Sequence, residues 1–238
     1  MVSNNLNRLF IGSILILVVL LFYFINLDLF FVIILLSFIS YDLFHIKITS
    51  YYFIISFLII SIFSFFFISF NLFEYLFIFQ FVIILFILVS KKFKDLLFTL
   101  SLYLFCINLF YIVNIDRNIF YLIILTSFFN DTIAYIVGRL IKGPLILPNI
   151  SPKKTWSGTS ISFIATTLFL IFFNFNFLIS MIISIFLFIG DIFFSYIKRY
   201  LNIKDFSLLL GSHGGILDRL DSMFFVAIIF HIYLVYLT

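Results

Sequence analysis

The sequence predicts an all-α, polytopic membrane protein with about nine transmembrane helices and a polar site facing the cytoplasm. Three observations carry that expectation. Hydrophobic residues make up 65% of the 238, with 40 Phe among them, and the mean hydropathy is +1.33. That is more apolar surface than a soluble core of this size can hide, and apolar runs of about 18 residues recur along the chain. The charged residues, only 10% of the total, gather in short segments between the runs. Finally, Lys and Arg distribute unevenly between the two sides that such runs would define.

In order, the apolar runs fall at 10–26, 29–44, 51–72, 75–90, 96–113, 119–138, 159–173, 177–197 and 222–237. The second, fourth, seventh and ninth are short. The first follows Asn4, Asn5 and Arg8 with no small-residue cleavage pattern after it, so it reads as a retained helix and not as a removed signal peptide. With the N-terminus in the cytoplasm and nine crossings, thirteen of the fourteen Lys and Arg fall inside, and only Arg117 falls outside. This is the asymmetry of the positive-inside rule, and it turns loops 139–158 and 198–221 toward the cytoplasm. The chain then divides into membrane scaffold helices over 1–115 and a catalytic membrane region over 116–238. In the first part Asp28, Asp42, Glu74 and Asp95 lie near helix ends and read as solvated end groups. His45 and His231 read as packing residues. Cys106, the only cysteine, lies in an apolar run and excludes a disulfide framework or a Cys-based zinc site. The formal net charge of +4 marks loop ends, and nucleic acid is not an expected partner.

The second part holds the unusual residues. Pro144, Pro148, Pro152 and Trp156 are all the prolines and the only tryptophan of the chain, and seven of the eight glycines lie at or after Gly138. Asp131, Tyr135 and Gly138 are spaced i, i+4, i+7 and share one helix face. An ionisable group within a span costs about 2.5–3.5 kcal/mol on insertion scales, so a buried or paired role is the default; the bland alternative is an ion pair with Arg139. Asp191, Ser195 and Lys198 repeat the spacing after Gly190, which permits close approach of a neighbouring backbone. Pairing of Asp191 with Lys198 is disfavoured, because seven residues span about 10.5 Å of helix axis.

After the eighth run come His213, Gly214 and Gly215, then Asp218, Arg219 and Asp221 as the ninth begins. Asp218 and Asp221, three apart, can aim carboxylates at one point, and hard oxygen donors with waters and phosphate oxygens suit Mg²⁺. The glycine pair allows a tight turn whose N–H groups, with the following helix N-terminus, could cradle a phosphate. The plain alternative, acidic residues in a first helical turn, leaves the histidine and glycines unexplained. Lys153, Lys154 and Thr155 follow the prolines of the other loop and offer cations for phosphate; no P-loop motif is present. Together these residues point to a phosphate-bearing substrate with Mg²⁺ beside a lipid.

At these positions the chain resembles the phosphatidate cytidylyltransferases. The pattern S-x-[apolar]-K-R, four residues, K-D, spacer, H-G-G-[apolar]-x-D-R-[apolar]-D is matched by Ser195, Lys198, Arg199, Lys204, Asp205, His213, Gly214, Gly215, Asp218, Arg219 and Asp221. Upstream, Asp131, Thr132, Ala134, Tyr135, Gly138 and Arg139 match D-T-x-A-Y-x-x-G-R, and 151–156 match S-P-K-K-T-W. The chain departs from the family where Ser157 stands for a usual Glu, Phe194 for another Glu, and Gly211-Ser212 for Pro-Gly. The resemblance implies transfer of CMP from CTP to phosphatidic acid, giving CDP-diacylglycerol and pyrophosphate. It implies metal coordination by Asp191, Asp218 and Asp221, and catalytic roles for Asp131, Lys198, Arg199, Lys204, His213 and Arg219. Substrate-binding roles fall to Ser195, Asp205, Gly214, Gly215, Lys153, Lys154 and Thr155. Mg²⁺ is the implied cofactor, CTP and bilayer phosphatidic acid the partners, a homodimer the assembly, and a bacterial-type inner membrane the location. Rival readings are a CTP-dependent lipid kinase, a transporter using the intramembrane aspartates, and a catalytically silent paralogue.

Overall fold

The computed structural model describes residues 2–46, 76–89, 94–211 and 214–236, with side chains of 2–12, 15, 76–77 and 89 excepted. The expected run at 51–72, together with Lys47, Glu74, Lys91, Lys92 and His213, lies outside the described residues. The described chain is mostly helical: α1 (Val2–Ile25), α2 (Asp28–His45), α3 (Leu76–Val89), α4 (Lys94–Ile115), α5 (Arg117–Ile141), α6 (Trp156–Phe172), α7 (Phe177–Tyr200), α8 (Leu217–Leu220) and α9 (Met223–Tyr236). Four of these, α2, α4, α5 and α7, are long and apolar enough to cross a membrane. The all-helical expectation is corrected in loop 139–158, where β1 (Leu145–Leu147) and β2 (Ser151–Thr155) form an antiparallel hairpin. The prolines permit this. Pro144 accepts at its carbonyl from the Trp156 N–H at 2.9 Å, and missing proline N–H groups cost little in an edge strand.

Two compact units are distinguished. The first comprises 1–120, 205–218 and 230–238, the second 121–204 and 219–229, so α5, α8 and α9 contribute to both. In the first unit α4 carries the core: Phe98, Leu102, Phe105, Leu109 and Ile112 are buried. Its interior hydroxyls are satisfied locally, Thr99 donating to the Asp95 carbonyl and Ser101 to that of Phe98. α3 and α4 are further joined by a buried hydrogen bond from the Asn108 amide to the Gln80 side-chain oxygen. The turn from α1 to α2 passes through Asn26 at φ 59°, and Arg117 locks it by donating to the Tyr23 carbonyl at 2.6 Å, to Asn26, and to Asp28 at 3.2 Å. Asp28 is thus an ion-pair partner and not simply a solvated end group. His231 is buried and stacks on Tyr111, with centroids 4.4 Å apart.

In the second unit α6 and α7 form an antiparallel pair. Asn174, at φ 65°, makes the turn, and Asn176 caps α7 by accepting from the Leu178 N–H. Thr167 donates to Ser184 across the pair at 3.1 Å. α7 packs on the start of α9 through Phe193, Phe194, Phe224 and Phe225. Gly190 makes that approach possible, since a Cβ there would stand 2.5 Å from the Asp221 carbonyl oxygen and 3.1 Å from that of Ser222.

Candidate functional site

The second unit contains a cavity of about 590 Å³. Asp131 and Tyr135 come to it from α5, Lys153, Lys154 and Thr155 from β2, and Asp191 from α7, while Trp156, Phe163, Ile164, Ile185 and Phe188 supply apolar walls. β2, at the end of the hairpin from which α6 starts, carries both lysines to the cavity. Thr155 is the N-cap of α6, its hydroxyl accepting from the Gly158 N–H at 3.2 Å. Ser157 accepts from the Gly143 N–H and donates to Thr155, both at 3.2 Å. At this position, where related sequences were expected to carry Glu, the hydroxyl closes the base of the hairpin.

The charged side chains follow neither of the bland alternatives, and the Asp191–Lys198 pair disfavoured by its spacing is not the one formed. Asp191 pairs with Lys154, not with Lys198, and Arg139 donates to the Tyr135 hydroxyl at 2.9 Å. Lys198, in the last turn of α7, points its ammonium at Asp221 Oδ2 at 4.0 Å. Asp221 itself is only 5% exposed and accepts from the Ser222 N–H at 2.8 Å. Its carboxyl is raised well above the ordinary carboxylate range, first by burial and then by the negative charge of Asp191, with Lys198 opposing. Asp131 adds to the repulsion and Lys154 to the relief. The arrangement is therefore a mixed cluster of three carboxylates and two ammonium groups within one unit. Ser195 is buried on α7. Arg199 is exposed and braces the hairpin turn through a 3.0 Å bond to the Ile150 carbonyl, and Lys204 is exposed beyond α7. Arg219, half-buried in α8, completes the second-unit set. Phe194 is fully buried among aromatic rings, so the departure at that position is absorbed into core packing.

A second cluster lies in the first unit. Asp218 Oδ2 accepts from the backbone N–H groups of Phe206 and Gly215, each at 2.9 Å. Gly214 adopts φ 80°, which favours glycine, and its N–H donates to the Gly211 carbonyl at 3.3 Å. The two glycine N–H groups expected to cradle phosphate are thus engaged inside the loop. The helix expected to follow is a four-residue turn, α8, separate from α9, so no dipole of a full helix is added there. Asp205 is half-buried on the same loop.

Sequence reasoning missed the centre of this cluster. Asp42, read as a solvated end group, is 0% exposed; it accepts from the Ser207 hydroxyl at 2.6 Å and from the Leu217 N–H at 2.8 Å. A signal was present: a carboxylate in the last turns of a helix opposes the macrodipole, so it needs a local donor.

No group of three His, Cys, Asp or Glu side chains converges as a preformed metal cage among the described residues. The donors fit Mg²⁺ in its usual manner nonetheless, since that ion is commonly held by one or two carboxylates with waters and substrate phosphates. Asp191 and Asp221 offer such oxygens, and their mutual repulsion is relieved by a cation.

Apolar helices long enough to span a bilayer, with a charge cluster drawn from α5, β2, α7 and the turn before α9, define an integral membrane protein with a polar site. More particularly, the chain belongs to the Cytidylyltransferase family, whose model matches residues 6–237. It is 35% identical over 123 residues to a phosphatidate cytidylyltransferase of Rickettsia conorii, covering 45% of this chain and 54% of the relative. Similar matches join it to phosphatidate cytidylyltransferases of Staphylococcus haemolyticus, 40% over 121 residues (47% and 46%), and Aquifex aeolicus, 34% over 134 residues (54% and 52%). The chain spans about half the length of the curated relatives it matches.

Proposed function

We propose that this protein transfers CMP from CTP to phosphatidic acid, forming CDP-diacylglycerol and releasing pyrophosphate. The observation that carries the reading is the cavity in which Asp131, Asp191, Lys153 and Lys154 share walls with aromatic and aliphatic side chains. A lipid phosphate with its glycerol and acyl carbons has this mixed character. The family and the names of its relatives support the same chemistry.

In this reaction a phosphatidate oxygen attacks the α-phosphorus of CTP, and the bond from that phosphorus to the β-phosphate bridging oxygen breaks. The nucleophile is already anionic, so no strong general base is needed; alignment and charge neutralisation carry the acceleration. Lys153 and Lys154 hold the lipid phosphate at the cavity wall, and Thr155 fixes the strand end that presents them. Lys198, Arg199, Lys204 and Arg219 neutralise the triphosphate. The resemblance assigns contact with the nucleotide to Ser195, Asp205, His213, Gly214 and Gly215. Asp191 and Asp221 would hold Mg²⁺, with Asp218 as the third ligand that the resemblance implies, and Asp131 would close the site. When bound, Mg²⁺ supplies charge neutralisation at the phosphate oxygens.

The wider setting belongs to the same reading: about nine spans, residues 1–115 as scaffold and 116–238 as the catalytic region. The N-terminus and both polar loops face the cytoplasm of a bacterial-type inner membrane, and the assembly is a homodimer. The test is pyrophosphate release by the full chain in mixed micelles with CTP, phosphatidic acid and Mg²⁺. Release that needs the lipid and is lost in Asp221→Asn supports the reading; lipid-independent release, or none from a folded protein, contradicts it.

A further inference from the structure

Asp42 lies in the penultimate turn of α2, more than 160 residues before the loop it contacts. Its two carboxylate oxygens are used on two different parts of that loop: Oδ1 accepts from the Ser207 hydroxyl at 2.6 Å, and Oδ2 from the Leu217 N–H at 2.8 Å. Ser207 in turn accepts from the Leu209 N–H at 3.2 Å. Between these points the carboxylate lies so close to the Gly215 backbone that a Cβ at Gly215 would collide with Oδ2 and with the Ser207 hydroxyl, the latter at 2.8 Å. Asp218 ties the same loop from within, through Phe206 and Gly215, and Phe206 stacks on Phe98 of α4 with centroids 6.0 Å apart. All of these residues belong to the first unit.

A buried carboxylate that accepts from two loop donors is costly to leave unsatisfied, and here it spans both ends of segment 207–217. We propose that Asp42 is a positioning residue: through Ser207 and Leu217 it holds in place the loop of Gly214, Gly215 and Asp218, the segment that the cytidylyltransferase reading gives to the nucleotide. The functional half of this statement rests on the cytidylyltransferase reading, while the anchoring half does not. Asp42 is fully buried, so its loss acts through the loop. The lipid cavity in the second unit is lined by other residues, and the effect therefore falls on the nucleotide.

The experiment compares Asp42→Ala, Asp42→Asn and Ser207→Ala in the full-length protein, reading amide hydrogen exchange and KM for each substrate. Asp42→Ala is expected to raise exchange in 206–217 and KM for CTP by about tenfold, with KM for phosphatidic acid within twofold of the parent. Asn keeps one acceptor for the Leu217 N–H and can donate to Ser207, so Asp42→Asn is expected to remain within about threefold on CTP. Ser207→Ala gives a partial effect in the same direction and serves where Asp42→Ala does not fold. Unchanged loop exchange in both alanine variants overturns the anchoring. A loosened loop with both KM values unchanged, or rising together, overturns the positioning role. A loosened loop in a chain whose parent turns over no substrate leaves the anchor standing and contradicts the functional reading on which the nucleotide effect rests.

Discussion

Gly190→Ala tests how closely the position of Asp221, the proposed Mg²⁺ ligand, depends on backbone packing. The added Cβ would stand 2.5 Å from the Asp221 carbonyl oxygen, whereas ordinary contact begins at ~3.4 Å, so the Asp221–Ser222 turn must retreat by about 0.9 Å. The obstructing atoms are backbone carbonyls and cannot rotate away. Asp221 is the carboxylate facing Lys198 at 4.0 Å, and a misplacement of about 1 Å in reacting groups lowers turnover on the order of a hundredfold. The overpacking itself costs about 1–3 kcal/mol of stability. The assay is CDP-lipid formation at saturating CTP and phosphatidic acid, with detergent-solubilised thermal unfolding alongside. Gly190→Ala is expected to lose kcat far beyond its loss of stability, and Gly190→Val to lose both. Parental turnover in Gly190→Ala would refute the claim that α7 sets the position of Asp221 through this contact.

Lys154→Met leaves Asp191 without its ion-pair partner; because the pair is partly solvated, the expected destabilisation is about 2 kcal/mol, below that of a fully buried pair. Adding Asp191→Asn should restore the unfolding temperature but not the activity. Asn108→Leu removes the donor to buried Gln80 and is expected to cost about 1 kcal/mol, as interhelical hydrogen bonds in membranes do, with KM values unchanged. Chelation of divalent ions should abolish turnover, and Mg²⁺ should restore it without altering far-ultraviolet circular dichroism. With Cys106→Ser as background, a cysteine at Asn202 should react with an impermeant maleimide only from the cytoplasmic side, and one at Asn118 only from the opposite side.

The helices were legible in the sequence because hydropathy reports burial in any apolar surrounding; the segments around 119–138 and 177–197 lie within α5 and α7. The close approach at Gly190 was legible for a related reason, since a lone glycine beside an aspartate in a phenylalanine-rich run has little other use. The β-hairpin was not. Its strands are three and five residues long, too short for an alternation signal, and three prolines resemble an irregular loop. The ionic pairing was not legible either, because Lys154 reaches Asp191 through the hairpin's path in space, which spacing along one helix cannot express. Asp42 escaped for the opposite reason: its position near a helix end suggested water, and only the loop folded against it removes that water. In each unit, then, some residues are announced by their chemistry, such as Asp191 and Asp221 in the second, while others, Ser157 in the second and Asp42 in the first, act only through the backbone they hold.

Which phosphorus reaches the lipid is decided by supplying phosphatidic acid, Mg²⁺ and CTP labelled either at the α- or at the γ-phosphorus, then extracting the lipid. Transfer of CMP puts α-label in the lipid and γ-label in released pyrophosphate, both lost in Asp221→Asn. Appearance of γ-label in the lipid, with CDP as the second product, would contradict it and identify a kinase instead.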